Sequence, residues 1–275
     1  MKMLGISSPL ELDLGALVAA LGKVPGDKQG VPLGRTAGVL FLIQCPTGGC
    51  QGPVLILNKR STLVRQPGDL CCPGGTPRPG VDRIVGTLLQ IPPLPLWRSR
   101  GWRALRGIDP GQRRVIAMYW ACCLRESWEE MRLPPWKVEF LGPLPPYRLR
   151  MFERDILPMV GSISGSSCFR TNWEVERVLA IPLSSFLDPG NYGKYILSGE
   201  GGGPYPGEEG PVTFPCFIHR DKGVHEILWG ATYNIVLSFL SLVWGFEPPP
   251  LEGREVVKGR LPRGYLSWKR ANGTR

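Results

Sequence analysis

Leu124-Arg125-Glu126-Ser127-Trp128-Glu129-Glu130-Met131, with Pro73-Gly74-Gly75 well upstream of it, is the stretch whose reading decides the fold. Read as a helix, at about 100° per residue, Glu126, Glu129 and Glu130 share one face. Leu124, Trp128 and Met131 form an apolar stripe pointing almost directly away from it, toward a core. Three close carboxylates repel one another, so something must offset their charge. Hard divalent cations such as Mg²⁺ or Mn²⁺ do so through oxygen ligands and also bridge phosphates. Arg125, four residues before Glu129, is placed to hold that carboxylate. For the helix alone, a solvated acidic face with one Arg/Glu pair is the competing reading.

The upstream Cys72-Pro73-Gly74-Gly75 shifts the balance. A strand ending in Pro-Gly-Gly lets backbone approach a ligand or metal with no side chain in the way. Together the two stretches resemble the Nudix box, G-x5-E-x7-R-E-U-x-E-E-x-G-U, with U a bulky aliphatic residue. Its second half corresponds to Arg125–Leu133, and its first half is matched at Gly75.

Further segments are similar to the coenzyme A diphosphatase-like branch of that family. They are Arg60-Ser61-Thr62-Leu63 with Pro67–Gly75, Ile156–Gly161, Glu174-Val175 leading to Ile181-Pro182-Leu183, and Leu228–Thr232. Three departures stand out. Val81 occupies the place of the first box acid, with Asp82 one position late, which predicts weaker support for the metal face. About thirty-five extra residues precede the helix. Arg132 replaces the glycine near the end of the box, which predicts an altered turn.

The resemblance implies an α/β fold, a Nudix-type α/β/α sandwich with a mixed sheet between helical layers. It implies metal-dependent hydrolysis of a diphosphate bond, with Mg²⁺ or Mn²⁺ held by Glu126, Glu129, Glu130 and the carbonyl of Gly74. Arg125 orients the carboxylates, and Glu126 or another carboxylate takes the proton of the attacking water. Arg60, Arg65 and Gly75 are candidate substrate contacts, the arginines otherwise being surface charge. Glu153, Asp155, Glu174 and Glu226 are unranked additional carboxylates. Coenzyme A is the expected substrate, cleaved to 3′,5′-ADP and 4′-phosphopantetheine. ADP-ribose or a dinucleotide, or a catalytically impaired binding module of the same fold, are the alternatives.

The 275 residues, 43% apolar, accommodate one large domain with insertions. The expected organisation is an N-terminal helical extension over 1–37, a hydrolase domain over 38–247 and a polar tail over 248–275. The net charge of +10 favours polyanionic ligands in general. No run reaches the eighteen or so apolar residues of a membrane span, and Ile235–Phe246 reads as a buried helix. A cytoplasmic enzyme with a small nucleotide substrate, and without a membrane or nucleic-acid partner, is the expectation. Two histidines among eight cysteines make a poor zinc set. Cys45 and Cys50 read as an ordinary loop pair, and Cys71-Cys72 and Cys122-Cys123 as buried free thiols.

Strands are expected near 38–43, 54–57, 138–142, 156–163 and 178–182, with two more ending near Leu197 and starting near Val212 around a Gly-rich loop. Helices are expected over 11–23, from Arg113 to before Pro134, and over 231–245. The insert at about 83–112 carries Arg98, Arg100, Arg103 and Arg106, followed by Arg113 and Arg114, with Trp97 and Trp102 among them. It reads as a basic surface loop whose removal leaves the rest able to pack, ahead of a phosphate-gripping lid or a macromolecular contact.

Overall fold

The computed structural model describes residues 12–24, 36–45, 52–149, 154–165, 167–199, 210–221, 223–261 and 265. At its centre lies a mixed sheet. Strand β1 (Thr36–Cys45) runs parallel to β7 (Arg154–Ser164) and antiparallel to β2 (Val54–Arg60). Short β3 (Leu70–Cys71) and β8 (Val175–Pro182) pair with β2, β4 (Gly74–Gly75) with β1, and β5 (Glu139–Pro143) and β6 (Tyr147–Leu149) with β7.

Successive side chains of a strand leave on opposite faces, and β1 shows the consequence. Leu40 and Leu42 pack with Tyr119, Trp120 and Leu124 of helix α5 (Pro110–Met131). Phe41 and Ile43 face the other way, toward α1 (Leu14–Leu21) and α6 (Gly230–Trp244), where Phe41 stacks on Phe239 at 4.5 Å. Both faces are covered, so β1 is apolar on both sides of its pleat. This is the α/β arrangement with a mixed sheet between helical layers. Helix α6 carries the expected apolar run as far as Trp244, with Ile235, Val236, Phe239, Leu240 and Val243 buried, and among the described residues no helix is long and apolar enough to cross a membrane.

A second sheet packs on the α6 side. It comprises β9 (Tyr192–Ser198), β10 (Val212–Asp221), β11 (Val224–Trp229) and β12 (Glu255–Arg260), with β12 parallel to β9. Part of the stretch expected as a polar tail is therefore a strand. Beyond it Tyr265 is buried, and its hydroxyl hydrogen-bonds Asp69 in the loop ahead of β3. The Gly-rich loop between β9 and β10 lies largely outside the described residues, as does Cys50.

The insert departs most from expectation. Instead of a surface loop it forms α2 (Pro79–Leu89), α3 (Pro95–Arg98) and α4 (Arg100–Ala104). Gly86 of α2 lies against α5 so closely that a Cβ there would meet the Ala117 carbonyl oxygen at 2.6 Å. Leu96, Trp102 and Leu105 join the α5-side core, whereas Trp97 stays exposed. Arginine counts suggested a solvated loop, but the apolar residues between the arginines anchor it. Removing residues 84–110 would therefore open the core.

Helix α5 starts three residues before the expected Arg113. The Asp109 carboxylate caps it, accepting from the Gln112 N–H at 2.9 Å, and Pro110 occupies the first helical position.

Candidate active site

The acidic face of α5 meets the short strand β4. Gly74 and Gly75 pair with Val39 and Gly38 of β1, which brings their backbone under the helix. A Cβ on Gly75 would lie 2.6 Å from the Glu126 carboxylate, so only glycine allows this approach. The Gly74 N–H donates to Glu130 Oε1 at 3.4 Å. The two carboxylates thus bracket the Pro-Gly-Gly turn.

Glu130 is buried, and Asn58 Nδ2 of β2 donates to its Oε2 at 2.7 Å. Burial pushes its carboxyl up to about 8, with the nearby charges of Glu126 and Glu174 adding to the rise; the Gly74 N–H and the Asn58 amide oppose it. Glu126 is also raised, chiefly by burial, against the pull of Arg125. Glu129 is more exposed and is gripped by both terminal nitrogens of Arg78, at 3.2 and 3.4 Å.

Arg125 meets different principal partners from the Glu129 expected. Its Nε and one terminal nitrogen bond the two oxygens of Asp82 at 2.9 and 3.0 Å, and its other terminal nitrogen bonds Glu126 at 2.7 Å. The contact to Glu129, at 3.5 Å, is the longest of the set. Asp82 is 1% exposed, whereas Val81 is 52% exposed. An acid one place late in the sequence thus reaches Arg125 from α2, which corrects the expectation of weakened support. Its carboxylate also accepts the Arg78 N–H at the start of α2, at 2.7 Å.

Arg132, at the glycine position of the box, takes the left-handed conformation (φ 55°, ψ 33°) that a glycine would adopt without strain. Its N–H bonds the Trp128 carbonyl and the Leu133 N–H bonds that of Ser127, so the helix still closes. The Arg170 and Asn172 N–H groups take the carbonyls of Met131 and Glu130. Trp128, expected in the core beside buried Leu124 and Met131, is instead 40% exposed. Its ring lies 6.5 Å from that of Trp136 and beneath the Arg132 guanidinium.

The other candidates separate. Arg60 donates from Nε to the Arg65 carbonyl at 2.7 Å, tying the 60–69 loop, while Arg65 is exposed. Glu174 lies close enough for its charge to act on Glu130. Glu226 is buried and held by Lys59 and Arg177, and Asp155 acts on Tyr119; Glu153 lies outside the described residues. Cys72, Cys122 and Cys123 are buried free thiols, and Cys71 is a half-buried one. Among the described residues no three His, Cys, Asp or Glu side chains converge as a ready metal cage. Sequence reasoning missed Asn58 and Arg78. Asn58 is a polar residue inside an apolar strand, which was the available signal for it.

No family model matches the chain. Curated relatives from Salmonella newport and Salmonella paratyphi B, both called uncharacterized Nudix hydrolase NudL, are 28% identical over 176 residues, covering 59% of this chain and 77% of the relative. Solved structures that resemble it include a Nudix hydrolase from Alicyclobacillus acidocaldarius (TM-score 0.37, 13% identity, 56% of this chain and 81% of that one). A C. elegans Ap4A hydrolase binary complex gives TM-score 0.35 at 13% identity, covering 56% and 84%. Likenesses that remote define neither substrate nor mechanism. The names of the curated relatives support a Nudix hydrolase and leave the branch open.

Proposed function

We propose that the chain is a metal-dependent Nudix diphosphatase acting on coenzyme A or a related nucleoside diphosphate derivative. The observation carrying this reading is the placement of Glu126 and Glu130 against the Gly74-Gly75 backbone, with Asp82 bracing Arg125 behind them. Carboxylate and carbonyl oxygens are the donor set that Mg²⁺ or Mn²⁺ prefers. The buried Asn58 Oδ1 beside Glu130, without a hydrogen-bond partner among the described residues, is a further oxygen in need of a positive partner.

Glu126, Glu129, Glu130 and the Gly74 carbonyl would hold the metal, with Glu129 released from Arg78. Bound there, the metal supplies charge neutralisation for the diphosphate and a more acidic water. The chain's own groups orient the site. Arg125 fixes Glu126, Asp82 fixes Arg125, and the Gly74 N–H and Asn58 set the two oxygens of Glu130. One of the carboxylates accepts the water's proton. Arg65 is free to meet substrate phosphate, and Arg60 shapes the loop that carries it. The coenzyme A assignment rests on the order of the branch-like segments and on the basic charge.

The test is hydrolysis of coenzyme A, acyl-coenzyme A, ADP-ribose and NADH with Mg²⁺ or Mn²⁺, by wild type and by Glu129→Gln/Glu130→Gln. Release of 3′,5′-ADP from coenzyme A, falling by on the order of 10²-fold or more in the variant, is expected. Faster turnover of ADP-ribose or NADH would overturn the substrate but keep the chemistry. No turnover of any of these would favour a binding module.

A further inference from the structure

The insert and the first turn of α5 form a half-open pocket of about 270 Å³ lined by Gln90, Trp97, Trp102, Arg103, Arg106 and Arg113. It is separate from the glutamate site: Arg113 lies thirteen residues before Glu126 on α5, about 20 Å along the axis at 1.5 Å per residue. Three arginines line this one space. Arg113 stacks on Trp102 at 4.3 Å, and its buried Nε has no hydrogen-bond acceptor among the described residues. Burial and the charge of Arg106 both work against its protonated form.

The acids of the insert do not answer this charge. Asp82 is committed to Arg125 and Asp109 caps α5, while Glu139, which acts on Arg103 electrostatically, is held bidentately by Arg100. Among the described residues, Arg103, Arg106 and Arg113 have no carboxylate within ion-pair distance. Planar guanidinium forks around a small, partly desolvated space suit a phosphate group, whose oxygens take paired N–H donors.

We infer that this cavity is a second, metal-independent binding site for a phosphate-bearing ligand, remote from the glutamate face. Its volume admits one or two phosphate groups rather than a whole dinucleotide. Two sources offer that chemistry: a free phosphorylated small molecule, or a lipid headgroup reached past the exposed Ile91, Leu94 and Trp97 of the same insert.

The experiment is calorimetric titration with inorganic pyrophosphate in EDTA, which removes any metal-dependent contribution from the glutamates. Alongside it, sedimentation with phosphatidylcholine vesicles, with and without phosphatidic acid, tests the headgroup. Wild type and Glu129→Gln/Glu130→Gln should bind alike. Arg103→Gln/Arg106→Gln, at two exposed positions where the fold should persist, should bind at least about tenfold more weakly, with an unchanged melting profile. Pyrophosphate binding alone identifies a free anion, and recruitment by phosphatidic acid alone identifies a headgroup. Binding of neither probe, or binding insensitive to the arginine pair, overturns the site.

Discussion

Asp82 offers the sharpest test of how the site is built. Its carboxylate is almost fully buried, makes two bonds to Arg125 and one to the Arg78 N–H, and Arg125 is itself only 14% exposed. Asp82→Ala would strip a buried cation of its principal partner. Breaking such a pair costs about 3–5 kcal/mol, and water can reach the freed Arg78 N–H, so about 3 kcal/mol is expected. That is a large share of the roughly 5–15 kcal/mol that holds a typical domain together. Urea unfolding read by circular dichroism measures it as a lower midpoint. Adding Arg125→Met should make the double variant less destabilised than the sum of the singles by at least about 1 kcal/mol, because each single change leaves the other charge unpaired. The exchange Val81→Asp/Asp82→Val restores the box spacing, yet it should not rescue, since residue 81 points to solvent. A loss under about 0.5 kcal/mol, an additive cycle, or rescue by the exchange would refute the assignment of Asp82 as the brace of Arg125.

Two further outcomes are expected. Trp102→Ala should cost about 3–5 kcal/mol because the ring is buried against Phe140, whereas Trp97→Ala should cost under about 1 kcal/mol; equal melting shifts would contradict the packing of the insert. Burial raises Asp69 to about 6, against hydrogen bonds from Tyr265 and Trp229. The folded state therefore holds its proton more tightly than the unfolded chain, so this group's contribution is complete below about pH 4 and is lost as pH rises through about 6. Asp69→Asn should remove a falling component of stability of at most about 3 kcal/mol across that window; identical pH profiles of the two proteins would argue against it.

What could be read along the chain was whatever has a local period. Glu126, Glu129 and Glu130 share a face because 3.6 residues make a turn, and the apolar blocks 38–43 and 156–163 became the paired central strands. Pro134 marked the end of α5 through backbone chemistry that a sequence displays directly, whereas the Asp109 cap that starts it three residues early was passed over. Pro73-Gly74-Gly75 announced close backbone approach, and Glu126 against Gly75 is that approach. The register of Asp82 misled because spacing counts residues, while a helix sets direction: one step along α2 turns a side chain by about 100°, from solvent to Arg125.

The remaining features needed the third dimension. Asn58 reaches Glu130 across 72 positions and Asp82 reaches Arg125 across 43, and no local pattern encodes such pairs. Trp128 has the right phase for the core yet packs with Trp136 and Arg132 at the surface. The arginine-rich insert looked solvated because charge dominates its composition, but burial of Leu96, Trp102 and Leu105 decides where it lies. The amino-acid sequence by itself determined the central strands, the long helices and the acidic face, since these depend on neighbours within a few turns. Only the tertiary structure decided which partners brace that face, because burial and hydrogen bonding are set by groups that meet through folding rather than along the chain.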